Sequence, residues 1–203
     1  MIAIIDYGAG NLRSIERALV HHGASTVITS DPDQIAKADG LVFPGVGNAR
    51  AAMDRLRASG IADAITSSVN QGKPILGVCL GMQLLFGEQE EGPTTGLGLL
   101  KGRGVALPVT RKTPHMGWNT VNFQQHNVLS HLDAGEYYFV HSYIVEPDDA
   151  GDIAGITSYG VTFPSIVSRD HIWGTQFHPE KSGDLGIALV GEWLETVTRR
   201  QAA

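Results

Sequence analysis

The sequence predicts an α/β fold: a mixed, mostly parallel central sheet with helices on both faces, plus antiparallel strands in the second half. Three observations point there. In the first half, short runs alternate with stretches of helical periodicity, and the runs are apolar throughout, as in strands covered on both faces. In the second half, strand-like segments succeed one another across polar or Gly/Pro turns with little helix between, so some must pair antiparallel. Finally, Leu185, Leu189, Trp193 and Val197 recur at spacings of four and close the chain with a helix.

Taken in order, Ile2-Ala3-Ile4-Ile5 reads as a buried strand, with a turn at Gly8-Ala9-Gly10. Leu12, Ile15, Ala18 and Leu19 follow helical spacing, and Gly23 stops that helix. Residues 27–29 form a second strand. Asp31 is then an N-cap, with Pro32 at the first helical position and Gln34 three residues on. Leu41-Val42-Phe43 is a third strand, broken by Pro44-Gly45-Val46-Gly47. Residues 49–58 and 61–70 read as two helices parted by Gly60. Residues 74–78 form a fourth strand that runs into Cys79 and then a helix through Phe86. Further strands are expected at 105–107, 120–123, 137–140, 153–158, 165–168 and 172–176. With no repeat, low-complexity tract or linker, residues 1–203 read as one domain, flavodoxin-like in arrangement.

Composition narrows the function. The chain has 203 residues, 15 Lys+Arg against 21 Asp+Glu, and a formal charge of −6. This balance argues against bulk nucleic-acid or anionic-membrane binding. The first apolar run ends at Asp6, too short for a membrane span or a signal-peptide core. One cysteine precludes an intramolecular disulfide and suits a reducing cytosol. Gly8-Ala9-Gly10 lacks the third glycine of a dinucleotide loop, and no P-loop lysine motif occurs. No His/Cys cluster has metal spacing, so neither metal nor cofactor is expected.

The strongest signal is Gly77-Val78-Cys79-Leu80-Gly81-Met82-Gln83. A strand entering a helix through Gly-x-nucleophile-x-Gly is the layout of a nucleophile elbow, in which small residues two before and two after permit a sharp turn. The helix start favours a thiolate, and the Leu80 N–H points to where an oxyanion would form. The alternative is an ordinary small buried cysteine. A thiol needs a base and a group to orient it. His21 and His22 end a helix, and His115, His126, His131 and His171 lie in polar segments expected at the surface. His178 ends a strand and precedes Pro179, which keeps it extended, so Glu180 is expected on the same face two residues on. Pro44-Gly45-Val46-Gly47 ends a strand at the carboxyl edge of the sheet, where α/β sheets bind ligands, and Gly45 makes rotation of the next peptide cheap.

Together, the Pro44–Gly47 loop, the cysteine turn and Phe177-His178-Pro179-Glu180 resemble the class I, triad-type glutamine amidotransferases in order and spacing over nearly the whole chain. That resemblance implies hydrolysis of L-glutamine to glutamate and ammonia through a cysteinyl thioester. It casts Cys79 as nucleophile, His178 as base then acid, and Glu180 as its orienter. Val46 and Leu80 match the oxyanion hole; Gly47, Gln83, Glu91, Ser142 and Tyr143 match positions that hold glutamine, and a carboxylate at Glu91 suits an α-ammonium. Asp6-Tyr7-Gly8-Ala9-Gly10-Asn11-Leu12, Pro114-His115-Met116-Gly117-Trp118-Asn119, Tyr138-Phe139-Val140-His141-Ser142-Tyr143 and Lys181-Ser182 are similar to the branch that feeds a (βα)₈-barrel cyclase in histidine biosynthesis. In that branch Asn11, Trp118, Tyr138 and Lys181 match the face turned to the cyclase, in a cytoplasmic heterodimer. A glutaminase serving another synthase, a cysteine peptidase and a catalytically silent flavodoxin-like module are the competing readings.

Overall fold

A computed structural model of the chain describes residues 1–108, 111–125, 129, 131–132 and 134–201. The first half runs β1 (Ile2–Ile5), α1 (Leu12–His21), β2 (Thr26–Thr29), α2 (Pro32–Lys37), β3 (Gly40–Gly45), α3 (Ala49–Ala58), α4 (Ile61–Asn70) and β4 (Ile75–Cys79). Then come α5 (Leu80–Gln83), β5 (Phe86–Gln89), β6 (Thr94–Thr95), β7 (Leu100–Ala106), β8 (His115–Phe123), β9 (Gly135–His141) and β10 (Tyr143–Pro147). The chain continues through β11 (Ile153–Ser158), β12 (Thr162–Arg169), β13 (Ile172–Thr175) and α6 (Gly183–Gln201).

The main sheet has the order β2-β1-β3-β4-β13-β12-β11-β8-β9. The first five strands are mutually parallel and the remaining pairs antiparallel. Ile2 and Ile4 face a core shared with α1 and α6, whereas Ala3 and Ile5 face a core shared with α2, α3 and α4. Successive residues of one strand thus enter different cores, which is why the run is apolar throughout. The mixed α/β class expected from the sequence is the observed one. Asp31 caps α2 by accepting from the Asp33 amide at 2.9 Å, and Gly60, at φ 75°, parts α3 from α4. Among the described residues no helix is long and apolar enough to cross a membrane.

Four expectations need correction. The helix after Cys79 is a single turn, not a run through Phe86. Residues 80–86 are all buried, which no helix face can achieve here; instead β5 places Phe86 against Leu100 of β7. Pro44 and Gly45 do not break β3 but extend it beside β4, past the end of its register with β1. A second sheet, β10-β7-β5-β6, lies outside the expected pattern: of β7 only the end is covered by the strand expected at 105–107, and the strand reaches back through Gly104 and Gly102 to Leu100. Those glycines mark close approach: a Cβ at Gly102 would strike the Glu146 carbonyl, and one at Gly104 the Gln89 side chain. Lastly, β8 begins at His115, which is only 2% exposed and not at the surface. His171 is half-buried, with Nε2 2.9 Å from the Val69 carbonyl. His131 is exposed, and His126 lies outside the described residues.

Candidate functional site

Cys79 ends β4 at φ 55° and ψ −113°, a conformation that a non-glycine residue adopts at a cost of about 1–3 kcal/mol. The neighbouring glycines allow it. A Cβ at Gly77 would lie 2.8 Å from the Met82 amide nitrogen, and one at Gly81 would overlap the Phe43 carbonyl. β3 therefore abuts the turn directly, with Gly45 in register with Cys79.

His178 follows β13 in an extended conformation, at φ −97° and ψ 98°. The chain then coils into a 3-10 turn, Pro179–Lys181, and this turn, rather than strand alternation, brings Glu180 back. His178 Nδ1 lies 2.9 Å from Glu180 Oε1, and both side chains are 3% exposed. The carboxylate accepts the Nδ1 proton, leaving Nε2 for another partner. That nitrogen has no hydrogen bond among the described residues. Burial alone would lower the imidazole pKa, but coupling to Cys79 and to Glu180 raises it to about 9. The backbone of His178 is also fixed: its N–H donates to the Tyr138 carbonyl at 2.9 Å. Ser182 Oγ accepts from the Tyr138 amide at 3.0 Å and donates to the His178 carbonyl at 2.6 Å.

Above the sulfur opens a cleft of about 280 Å³. Val46, Gly47, Leu80, Gln83, Glu91, Ser142 and Tyr143 all line it with Cys79, so every residue expected in the oxyanion hole or against the ligand borders one cavity. Glu91 accepts from the Ala49 amide at 2.8 Å, at the start of α3; burial raises its pKa, and that hydrogen bond opposes the rise. Cys79 Sγ sits 3.8 Å from the Val140 carbonyl and 3.9 Å from Gln176 Nε2. Gln176 is fully buried and was not singled out from the sequence, and His141 stood there only within the Tyr138–Tyr143 segment, with no role of its own. His141 lines the cleft, and its hydrogen bonds are directional. Its Nδ1 donates to the Tyr143 carbonyl at 2.9 Å, so Nε2 accepts from His115 Nδ1 at 2.9 Å, and His115 Nε2 accepts from Asn119 at 3.1 Å. Burial depresses the His141 pKa to about 3, keeping it neutral.

The residues expected at a partner surface fall outside the cleft. Trp118, 55% exposed, meets the half-buried Tyr138 edge-on at 6.1 Å, and Lys181 Nζ stands 5.8 Å over the Tyr138 ring. Asn11 stands at the start of α1, a helix that packs on the 3-10 turn carrying Lys181. Among the described residues no group of three or more His, Cys, Asp or Glu side chains is arranged to hold a metal.

The family model described as glutamine amidotransferase class-I matches residues 3–188. A protein named imidazole glycerol phosphate synthase subunit HisH from Geobacillus thermodenitrificans is 47% identical, over 99% of this chain and 98% of its own length. A like-named subunit from Methanopyrus kandleri is also 47% identical, over 98% of this chain and 99% of its own. Among solved structures, a glutamine amidotransferase superposes with a TM-score of 0.80 at 19% identity, covering 98% of this chain and all of the other. A putative GMP synthase protein from Thermoplasma acidophilum gives 0.73 at 19% identity, over 99% of this chain and 95% of its own. At that identity the two structures speak to the fold alone.

Proposed function

The chain belongs to the class-I glutamine amidotransferase family, and we propose that it is the glutaminase subunit of an imidazole glycerol phosphate synthase. Acting as one domain spanning residues 1–203, it hydrolyses L-glutamine and delivers ammonia to a (βα)₈-barrel cyclase, which makes imidazole glycerol phosphate and AICAR in histidine biosynthesis. The full-length similarity to subunits of that synthase, as opposed to fold-level likeness to the GMP synthase protein, supports this assignment over other amidotransferases. For the chemistry, the supporting observation is Cys79 on a strained turn and open to a cleft, with its charge coupled to the imidazole of a buried His178–Glu180 pair.

The reaction then runs in two halves. The Cys79 proton passes to His178 Nε2, and the sulfur attacks the side-chain amide carbon of glutamine. Backbone N–H groups of Leu80 and Val46 stabilise the tetrahedral oxyanion. The His178 imidazolium protonates the leaving nitrogen, ammonia departs, and a glutamyl thioester remains. His178 next takes a proton from water, whose oxygen attacks the thioester; the same proton returns to sulfur as glutamate leaves. Glu180 orients the imidazole throughout. Gly47, Gln83, Glu91, Ser142 and Tyr143 hold the amino acid, with Glu91 against its α-ammonium. Ammonia loses its nucleophilicity once protonated in bulk water, so shielded transfer favours a docked cyclase. Asn11, Trp118, Tyr138 and Lys181 form the docking face.

The test is Cys79→Ala in the complex with the cyclase. Glutamine-dependent synthesis is expected to vanish while synthesis from added ammonium persists. Equal loss of both, with the complex intact, would overturn the nucleophile assignment.

A further inference from the structure

We propose that Gln176 is a further catalytic residue of the glutaminase reaction: its side-chain N–H donates a hydrogen bond to Cys79 sulfur and stabilises the thiolate, while Gln83 holds the amide in that orientation. This inference rests on the glutaminase reading above.

The side chain of Gln176 is fully buried, with Nε2 3.9 Å from Sγ. Which end of the amide faces sulfur follows from its neighbours. The Tyr143 carbonyl can only accept, so the group 3.0 Å from it must be the NH₂ of Gln83. That same NH₂ lies 3.1 Å from the Gln176 amide, to which it can only donate, so the atom it meets is Oε1. The Gln176 NH₂ is thereby left pointing at sulfur. The Gln83 backbone is fastened in turn, its carbonyl accepting from Gln89 Nε2 at 2.8 Å. Gln83, Gln89 and Gln176 are no more than 5% exposed, and burying three amides is costly unless they are satisfied and used.

The local fold gives this donor its importance. A long helix after Cys79 would have supplied a dipole for the thiolate, but α5 has only four residues, and the effect of one turn is small. The two oxygen and nitrogen contacts of sulfur suit different protonation states. The Val140 carbonyl, 3.8 Å away, accepts from the thiol and has nothing to offer the thiolate. Gln176 N–H is a donor and is favoured by the negative sulfur. No proton leaves Gln176: the thiol proton passes to His178 Nε2, and the amide hydrogen bond strengthens as charge collects on sulfur.

The experiment follows iodoacetamide alkylation of Cys79 against pH, together with glutaminase kinetics in the cyclase complex, for the wild type, Gln176→Glu and Gln176→Met. Gln176→Glu matches the shape but presents oxygens to sulfur; Gln176→Met removes the donor and tests the same point if a buried carboxylate prevents folding. The pH of half-maximal alkylation is expected to rise by about one unit or more, with kcat near neutrality down about tenfold and KM little changed. Lower thermal stability with an unmoved alkylation profile and kcat would overturn the proposal, reducing Gln176 to a packing residue while the glutaminase reading stood. A wild-type complex that fails to hydrolyse glutamine would instead sink that reading, and this inference with it.

Discussion

His178 is buried and yet favours its charged form, because Cys79 and Glu180 outweigh the desolvation that opposes it. With the pKa raised from 6.5 to about 9, the imidazolium contributes stability that is fully present below pH 6.5 and is lost as pH climbs through about 9. Urea unfolding of the wild type and of His178→Asn at stepped pH is expected to show that difference shrinking across this window. A constant difference would mean that His178 is neutral in the folded chain. Glu180→Gln keeps the shape but not the charge, so glutamine hydrolysis is expected to fall about a hundredfold or more with ammonia-dependent synthesis retained, as steady-state assays of the complex would measure. Cys79, His178 and Glu180 were legible as candidate site residues because they sit in patterned surroundings: flanking glycines in one case, a following proline in the other. Gln176 was not, and His141 stood in its segment without a role, since a glutamine or a neutral histidine acquires its function from what the fold places beside it.

At the level of elements, the parallel half was readable because β1, β3 and β4 are buried on both faces and the helices have stops or caps in their sequence. Helices 49–58 and 61–70 and the break at Gly60 stand where the pattern put them. The second sheet was legible only at residues 105–107, because the glycines earlier in β7, which serve close strand approach, carry no strand pattern of their own. Glycine has two uses in this chain. At Gly81 a side chain would collide with the Phe43 backbone, whereas Gly98, at φ 66°, has open space around it and only a conformational preference to lose. Gly81→Ala is accordingly expected to cost about 1–3 kcal/mol and to disable the turn, and Gly98→Ala to cost about 1 kcal/mol with activity kept. Chemical denaturation beside glutaminase assays would compare them; equal costs would mean that β3 does not press on the turn as described.

Across the whole molecule, the cleft and the exposed aromatic face are joined by backbone. Tyr138 presents its ring to Trp118 and Lys181 on one side, and its peptide bonds to His178 and Ser182 on the other. Composition could announce neither surface, and without the family resemblance Trp118 would read as a core residue. As a half-exposed anchor, Trp118→Ala is expected to weaken cyclase binding by about 2 kcal/mol, while the melting temperature of the isolated chain barely moves. Calorimetric titration alongside thermal melts separates those effects, and an unaltered affinity would relocate the docking face. The most direct test of the central claim is acid-quench mass spectrometry of the complex during turnover of glutamine. A glutamyl adduct confined to the Cys79 peptide is the predicted result; sustained hydrolysis with that peptide unmodified, and equally fast in Cys79→Ala, would contradict it.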